Sequence, residues 1–467
     1  MKKIRAASLD VFRGVTIFGM ILTGSISSRV LPAWMYHAQV GPRSKFAFDP
    51  SIYGITWVDL IFPFFLFAMG AAFPFSMRGK LERGVSKMSL AADALKRGAR
   101  LTFFAIFIQH LYPWNTFPGN PLGSRLAALL AFVLLFVMFL RIPGKLNSYI
   151  RTGIEFAGYG LGVLLLVNTP YNNEASFSLY QSNIIILLLA NMAVFGMLIY
   201  LFTIDKPLHR LAVLPLLMGI YLSSKTEGSW AQAVFNHSLI PWFYGFGYLK
   251  YLFIVIPATL AGEYLRSWLK SSESLEDVIA RKKAPFVLVL TISLLLLNLL
   301  GLYMRSLTLN LFGTLALLLL LWYVLRGEGR FMNYWKQLFS IGAFLLVLGL
   351  CFEAFEGGIR KDHATYSYYF VTSGLAFLMM ISFSIVCDLY QWRIIAKPLQ
   401  YTGQNPMIAY VAPHLFVNPI LYLLGISPYL AMLDSNPWTG LLKGLLITLL
   451  SVGVAIFFSK KRWFWRT

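Results

Sequence analysis

The chain has 467 residues, 58% of them hydrophobic and 13% charged, and its mean hydropathy is +0.67. Soluble domains carry roughly 25% charged residues, so this composition excludes a large water-soluble core. At about 20 apolar residues per span there is room for about 10–14 membrane helices.

The net charge of +21 would suit nucleic acid in a soluble protein. In a membrane chain it reads instead as Lys and Arg gathered in cytoplasmic loops, with anionic headgroups and an anionic cytosolic ligand as partners and no nucleic acid. The two cysteines, Cys351 and Cys387, fall inside apolar segments, which predicts neither a structural disulfide nor a metal cluster.

In chain order, MKKIRAASLDVFRG has the basic flank of a signal peptide, but Asp10 and Arg13 interrupt its apolar run and no small-x-small site follows. A retained first span is expected. Apolar segments lie near 12–30, 54–77, 100–113, 122–140, 152–168, 184–203, 211–223, 248–269, 285–304, 307–325, 338–356, 366–388, 402–425 and 438–459. Those at 100–113 and 211–223 are short enough to be re-entrant or tilted. With a cytoplasmic N-terminus and alternating segments, most basic residues collect on one side, including the 78–100 loop, Lys206, Arg210, Arg281–Lys283 and Lys460–Arg462. That bias predicts an even number of spans and two cytoplasmic termini, as in a bacterial inner membrane. The polar loop Ser271–Lys283 reads as a cytoplasmic hinge between an N-terminal bundle, 1–270, and a C-terminal bundle, 284–467, within one membrane domain. The expected fold is all-α, a polytopic transmembrane helix bundle.

Few residues offer chemistry. The stretch GITWVDLIFPFFLFAMGAAFPFS holds one buried acid, Asp59, and an ionisable group inside a span needs a partner or a task. Just upstream, WMYHAQV carries His37 in a loop expected to face outward. His37 reads either as a general base or transient acyl carrier, or as an interfacial histidine with a loop hydrogen bond. Asp59 reads either as the carboxylate that orients His37, or as a first-turn acid held by the helix dipole with Thr56 as cap. Asp10 and Arg13 stand three apart and can pair on one helix face; Arg13 can also grip a cofactor phosphate. Lys96, Arg97 and Arg100 read first as positive-inside anchoring, and they also suit a pyrophosphate or nucleotide. The polar stretch YTGQNPMIAYVAPHLFVNP contains Gly403, Asn405 and His414; it reads as a cavity lining or as a polar clasp between helices. Glu353, Glu356, Asp362 and His363 form an acidic outer edge for a cationic acceptor, or a solvated loop. His110 and His237 fall near the aromatic residues Trp114 and Trp242, of the kind that stack on sugar rings.

Three elements, SLDVFRGVTIFGMIL, the loop with His37 and Ala38, and GITWVDLIFPFFLFAMGAAFPFS, occur in that order. Together they resemble the opening of the heparan-α-glucosaminide N-acetyltransferase-like membrane proteins, and YTGQNPMIAYV resembles that family's Gly-x-Asn segment. The loop from His37 to Gly54 is longer than the family's compact turn, and no Trp follows Ala38. The resemblance implies transfer of acetyl from cytosolic acetyl-CoA to an amino group of an extracytoplasmic sugar, without a metal, by a chain that can form a homodimer. It maps His37 to the active-site histidine and Asp10, Arg13, Asp59 and Asn405 to motif positions. Combined with the charge reading, Arg13, Arg97, Arg100, Gly403 and Asn405 belong to the donor, and Asp10, His363 and His414 to the acceptor. His37 either deprotonates the acceptor or carries the acetyl group. A membrane transporter of sugars or sugar derivatives is the alternative, suggested by buried polar residues and broken helices; a non-catalytic partner in glycan uptake is a third. No Walker loop, dinucleotide fingerprint or HExxH element occurs.

Overall fold

A computed structural model describes residues 7–27, 29–140, 147–172, 176–271 and 278–466. Among these residues the expected all-α bundle is what the chain forms, with no strand longer than an isolated bridge. The main helices are α1 (Ala7–Ser25), α2 (Trp57–Leu81), α3 (Lys87–His110), α4 (Pro121–Phe139) and α5 (Ser148–Asn168). They continue with α6 (Ile184–Phe202), α7 (Pro207–Ser223), α8 (Leu252–Lys270), α9 (Val278–Tyr303) and α10 (Leu307–Val324). The remainder are α11 (Arg330–Glu356), α12 (Tyr366–Leu389), α13 (Arg393–Gln404), α14 (Pro406–Leu423) and α15 (Pro437–Lys460). Eleven helices among the described residues are long and apolar enough to cross a bilayer, which makes this an integral membrane protein.

Burial sorts the helices. The most apolar stretches of α2 and α12 are 83% buried, against 17% for α5 and 22% for α10. The first two form the centre, and the other two turn apolar side chains outward, as lipid-facing helices do. Helices from the two sequence halves pack together: α1 lies against α13 and α15, and α12 against α2 and α8. Of the expected hinge, residues 272–277 lie outside the described residues, and Arg281–Lys283 are helical in α9.

Two departures from the sequence expectation bear on the site. The short segment at 100–113 is the end of α3, which starts at Lys87; Lys96, Arg97 and Arg100 break the apolar pattern without breaking the helix. The segment at 402–425 is divided at Asn405, whose backbone (φ −132°, ψ 53°) leaves the helix before Pro406 restarts it as the first residue of α14.

The contact of α1 with α13 is set by two glycines. A Cβ on Gly14 would sit 1.9 Å from the Leu399 carbonyl oxygen, and one on Gly403 would sit 2.0 Å from that of Asp10. These are backbone atoms that cannot yield without separating the helices. Gly14→Ala and Gly403→Ala are therefore expected to destabilise the fold by about 1–3 kcal/mol. Gly453→Ala, which meets no heavy atom within 4 Å, should stay within about 0.5 kcal/mol of wild type. Thermal melts of the detergent-solubilised protein check this ranking; equal melting of all three variants would contradict it.

Candidate functional site

The chain enters α2 through Gly54, whose φ of +102° suits glycine and whose N–H donates to the Ile359 carbonyl at 2.8 Å. Thr56 then precedes the helix and Asp59 occupies its third position. The Asp59 side chain reaches back to the Thr56 N–H at 2.9 Å, one half of a capping box, and also accepts from the Ala38 N–H at 3.3 Å. Both bonds use Oδ2. The Asp59 carboxylate is fully buried, and its Oδ1 has no hydrogen-bond partner. The ionisable neighbours of Oδ1 are His37 Nδ1 at 3.4 Å and Lys361 Nζ at 3.7 Å.

His37 is held at both ring nitrogens. The Gln39 N–H donates to Nδ1 at 3.0 Å, so Nδ1 carries the lone pair and the proton sits on Nε2. Nε2 donates to Asp362 Oδ2 at 2.7 Å. Asp362 belongs to the loop between α11 and α12, and Gln39 grips that loop from the other side: its side chain accepts from the Asp362 N–H at 2.8 Å and donates to the Asp362 carbonyl at 3.0 Å. Burial raises the Asp362 carboxyl, but the hydrogen bond from His37 and the charge of Lys361 outweigh it and hold the group below the ordinary carboxylate value.

The loop is anchored on other sides as well. Glu356 accepts from the Tyr366 and Ser367 N–H groups at 2.8 and 2.9 Å, capping α12. Lys250 donates to the Ala364 carbonyl at 3.2 Å and stacks on Tyr221, and burial pulls its ammonium down to about 8.

A cavity of about 590 Å³ opens beside His37, whose side chain is 16% exposed. Its other walls include Tyr36, Gln109, Tyr112, Trp114, Asn183 and His414. The rings of Tyr112 and Trp114 stack at 4.6 Å, and His414 meets both edge-on. A second cavity, of about 350 Å³, lies further along α1 and contains Arg13, Arg97 and Arg466. Met20, Ile185 and Tyr410 line both cavities. Arg466 also lines a third, of about 570 Å³, with Lys96, Arg100 and Arg151. Arg13 and Gly24 mark the two ends of this path on α1, about 16 Å apart at 1.5 Å per residue.

The structure thus gathers some of the expected residues and separates others. His37 and Asp59 are neighbours. Arg13 and Arg97 share the second cavity, and the Arg97 Nε is buried with no hydrogen-bond partner. Arg13 donates to the carbonyls of Gly403 and Ala68 at 3.4 and 3.5 Å. Arg100 lines the third cavity, already paired with Glu155. Asn405 is fully buried and spends both ends of its amide on the C-terminal tail, donating to the Trp463 carbonyl at 2.7 Å and accepting from the Trp465 N–H at 3.2 Å. Gly403 serves the helix crossing. Asp10 accepts from Gln404 at 3.5 Å at the Arg13 end, away from His37, whereas His414 shares the His37 cavity. His363 is exposed at φ +46° and is not part of that cavity wall. His110 is buried, with Ile106 and Ser178 as partners of its two ring nitrogens.

Sequence reasoning placed Asp362 only on an acidic outer edge beside His363, whereas the structure joins it to His37, and it overlooked Gln39, Tyr410 and the cavity roles of Arg151 and Arg466. No spacing signal links residues more than three hundred positions apart.

Helices, buried carboxylate and internal cavities together define a polytopic membrane protein with a histidine–carboxylate centre near one end of its bundle. Residues 5–265 match the family described as a domain of unknown function, DUF5009, and the chain belongs to that family. The match covers α1 to most of α8, hence His37, Asp59, Arg13, Arg97 and Arg100, and stops before Asp362 and Asn405. No curated protein matches the chain.

The lowered Asp362 carboxyl has a consequence for stability. A depressed carboxylate stabilises the fold fully above its unfolded value, about 3.9, and loses that contribution as pH falls through the folded one. The melting difference between wild type and Asp362→Ala is expected to be present at pH 6 and to shrink as pH drops below about 4. A difference that does not change with pH would count against ionised Asp362 as the partner of His37.

Proposed function

We propose that this protein is a transmembrane acyltransferase, moving an acetyl group from cytosolic acetyl-CoA to an amino or hydroxyl group of an extracytoplasmic sugar in a bacterial inner membrane. One observation carries the reading. A cavity beside the histidine–carboxylate centre and a cation-lined cavity lie toward opposite ends of α1, and the two share three wall residues.

In this reading the Arg13 end is cytoplasmic, in keeping with the positive-inside rule. Lys96, Arg151 and Arg466 attract the polyanionic donor, and Arg97 supplies a charge with unspent hydrogen-bonding capacity. The second cavity, bordered by Phe65, Met69, Leu101 and Leu189, takes an apolar arm. At the other end His37 accepts the acceptor's proton or carries the acetyl group between donor and acceptor. Asp59 steadies the imidazolium that forms. Tyr112 and Trp114 offer a stacked aromatic surface to a sugar ring. The pairing of Asn405 with the tail favours a structural part for it, holding Trp465 and Arg466 where the second cavity needs them.

The test uses purified protein, labelled acetyl-CoA and a panel of amino sugars. Wild type is expected to transfer label, and His37→Ala to lose about 10²–10⁴-fold in rate while remaining folded. Arg97→Gln should raise KM for the donor by about tenfold, the loss of one charged contact, with a smaller change in kcat. If acetyl-CoA neither binds nor donates while sugar flux into proteoliposomes depends on His37, the transporter reading replaces this one.

A further inference from the structure

We propose that Asp362, together with its neighbour Lys361, is a positioning residue that selects the tautomer of His37. Seated as it is, it keeps the proton on Nε2; when its loop lifts, the proton shifts to Nδ1 and the Nε2 lone pair becomes available to the cavity. This deepens the acyltransferase reading and rests on it.

Three features lead there. Neither ring nitrogen can act as base or nucleophile in the observed arrangement, because Nε2 spends its proton on Asp362 at 2.7 Å and the Nδ1 lone pair is taken by the Gln39 N–H at 3.0 Å. A second acceptor is nonetheless in place: Asp59 Oδ1 is buried, lacks a hydrogen bond, and lies 3.4 Å from Nδ1. An orphaned carboxylate oxygen beside an imidazole nitrogen marks the partner of another protonation state of that ring. Finally, the groups that compete for this pair sit side by side on one loop. Asp362 occupies the ring and Lys361 sits 3.7 Å from Asp59. Gln39, which blocks Nδ1, is fastened to the same loop through the Asp362 backbone.

Lifting that loop exchanges the pairs His37–Asp362 and Asp59–Lys361 for the single pair His37–Asp59. The Asp362 side chain is 40% exposed and can be rehydrated, whereas Asp59 is fully enclosed and cannot leave. The proton count balances: one proton leaves Nε2 for water, one reaches Nδ1 from water, the ring stays neutral and Asp362 stays ionised. The product state has the arrangement of a working base, a buried carboxylate behind one nitrogen and a bare lone pair on the other.

The experiment reads the tautomer rather than turnover. Full-length protein is labelled with ring-¹⁵N histidine, and the His37 resonances are identified by their loss in His37→Gln. Wild type is expected to be protonated on Nε2. Asp362→Ala should shift the tautomer ratio toward Nδ1–H by about tenfold or more, whereas Asp362→Asn, whose amide oxygen still accepts from Nε2–H, should restore the wild-type signature. Lys361→Ala exposes the Asp59 charge and should move the ratio the same way, which keeps the test decisive if Asp362→Ala does not fold. An Nε2–H signature retained in folded Asp362→Ala or, where that variant does not fold, in folded Lys361→Ala would overturn the proposal. Since no substrate is involved, this result is separate from any failure of wild type to transfer acetyl.

Discussion

A carboxylate enclosed within a membrane helix has to be answered by donors and opposite charge, and the region around Asp59 is organised by that requirement. Thr56 and Ala38 supply backbone N–H groups, which ties the first turn of α2 to the loop before it. His37 and Lys361 supply the nearby charge-bearing groups, drawing in the loop between α11 and α12. From α12, the Tyr368 hydroxyl donates to the Asp59 carbonyl at 2.8 Å. Two stretches distant in sequence, 37–59 and 361–368, therefore converge on one acid. The two most deeply buried of the candidate spans, α2 and α12, both contribute to the site, so it is built on the packed centre of the bundle.

At the other end, positioning is steric. The glycine crossing brings α1 and α13 backbone to backbone, and Arg13 then reaches the Gly403 carbonyl on one side and the Ala68 carbonyl of α2 on the other. One guanidinium thus joins three helices while still bordering the second cavity. Asn405 completes this end. By leaving the helix there, the chain frees a side-chain amide that captures the C-terminal tail, and the tail places Trp465 and Arg466 in the cavity wall. The polar content of YTGQNP is in this way consumed by architecture that shapes a cavity, without needing to touch a ligand.

Much of the fold was legible because membrane spans announce themselves by length and hydropathy, and each of the fourteen expected segments has a helical counterpart. The errors fell where local composition and backbone geometry part. Lys96, Arg97 and Arg100 lower the hydropathy of α3 without disturbing its hydrogen bonds, so the helix looked short. Asn405 breaks its helix at the polar start of a segment whose remainder is apolar, so one span looked continuous. At the site, His37 and Asp59 were visible because a lone acid and a lone histidine stand out against apolar neighbours. Asp362 was named only as one acid of an outer edge, because it lies among other charged loop residues and its link to His37 comes only from tertiary packing. His363 shows the limit of residue-type reasoning: the adjacent position carries the contact, and the histidine faces water.

The boundary between the cavities bears on the proposed route. Met20, Ile185 and Tyr410 line both sides of it, and the Tyr410 hydroxyl is held by Asn183 Oδ1 at 3.1 Å. No side chain at that level carries a charge. The cations lie below it, at Arg13, Arg97 and Arg466, and the titratable centre lies above it, at His37. A charged solute drawn to the lower cations would have to give up that stabilisation to cross an uncharged boundary, and an ion without a counter-charge there faces a desolvation penalty of several kcal/mol. A neutral, slender chain attached to a charged head meets no such penalty: the head keeps its cations while the chain crosses the boundary. In the proposed acyltransferase, this charge distribution suits delivery of a group better than passage of a whole polyanion. It is the distribution of charge along the path, more than the presence of a cavity, that sets a group-transfer reading apart from a transport one.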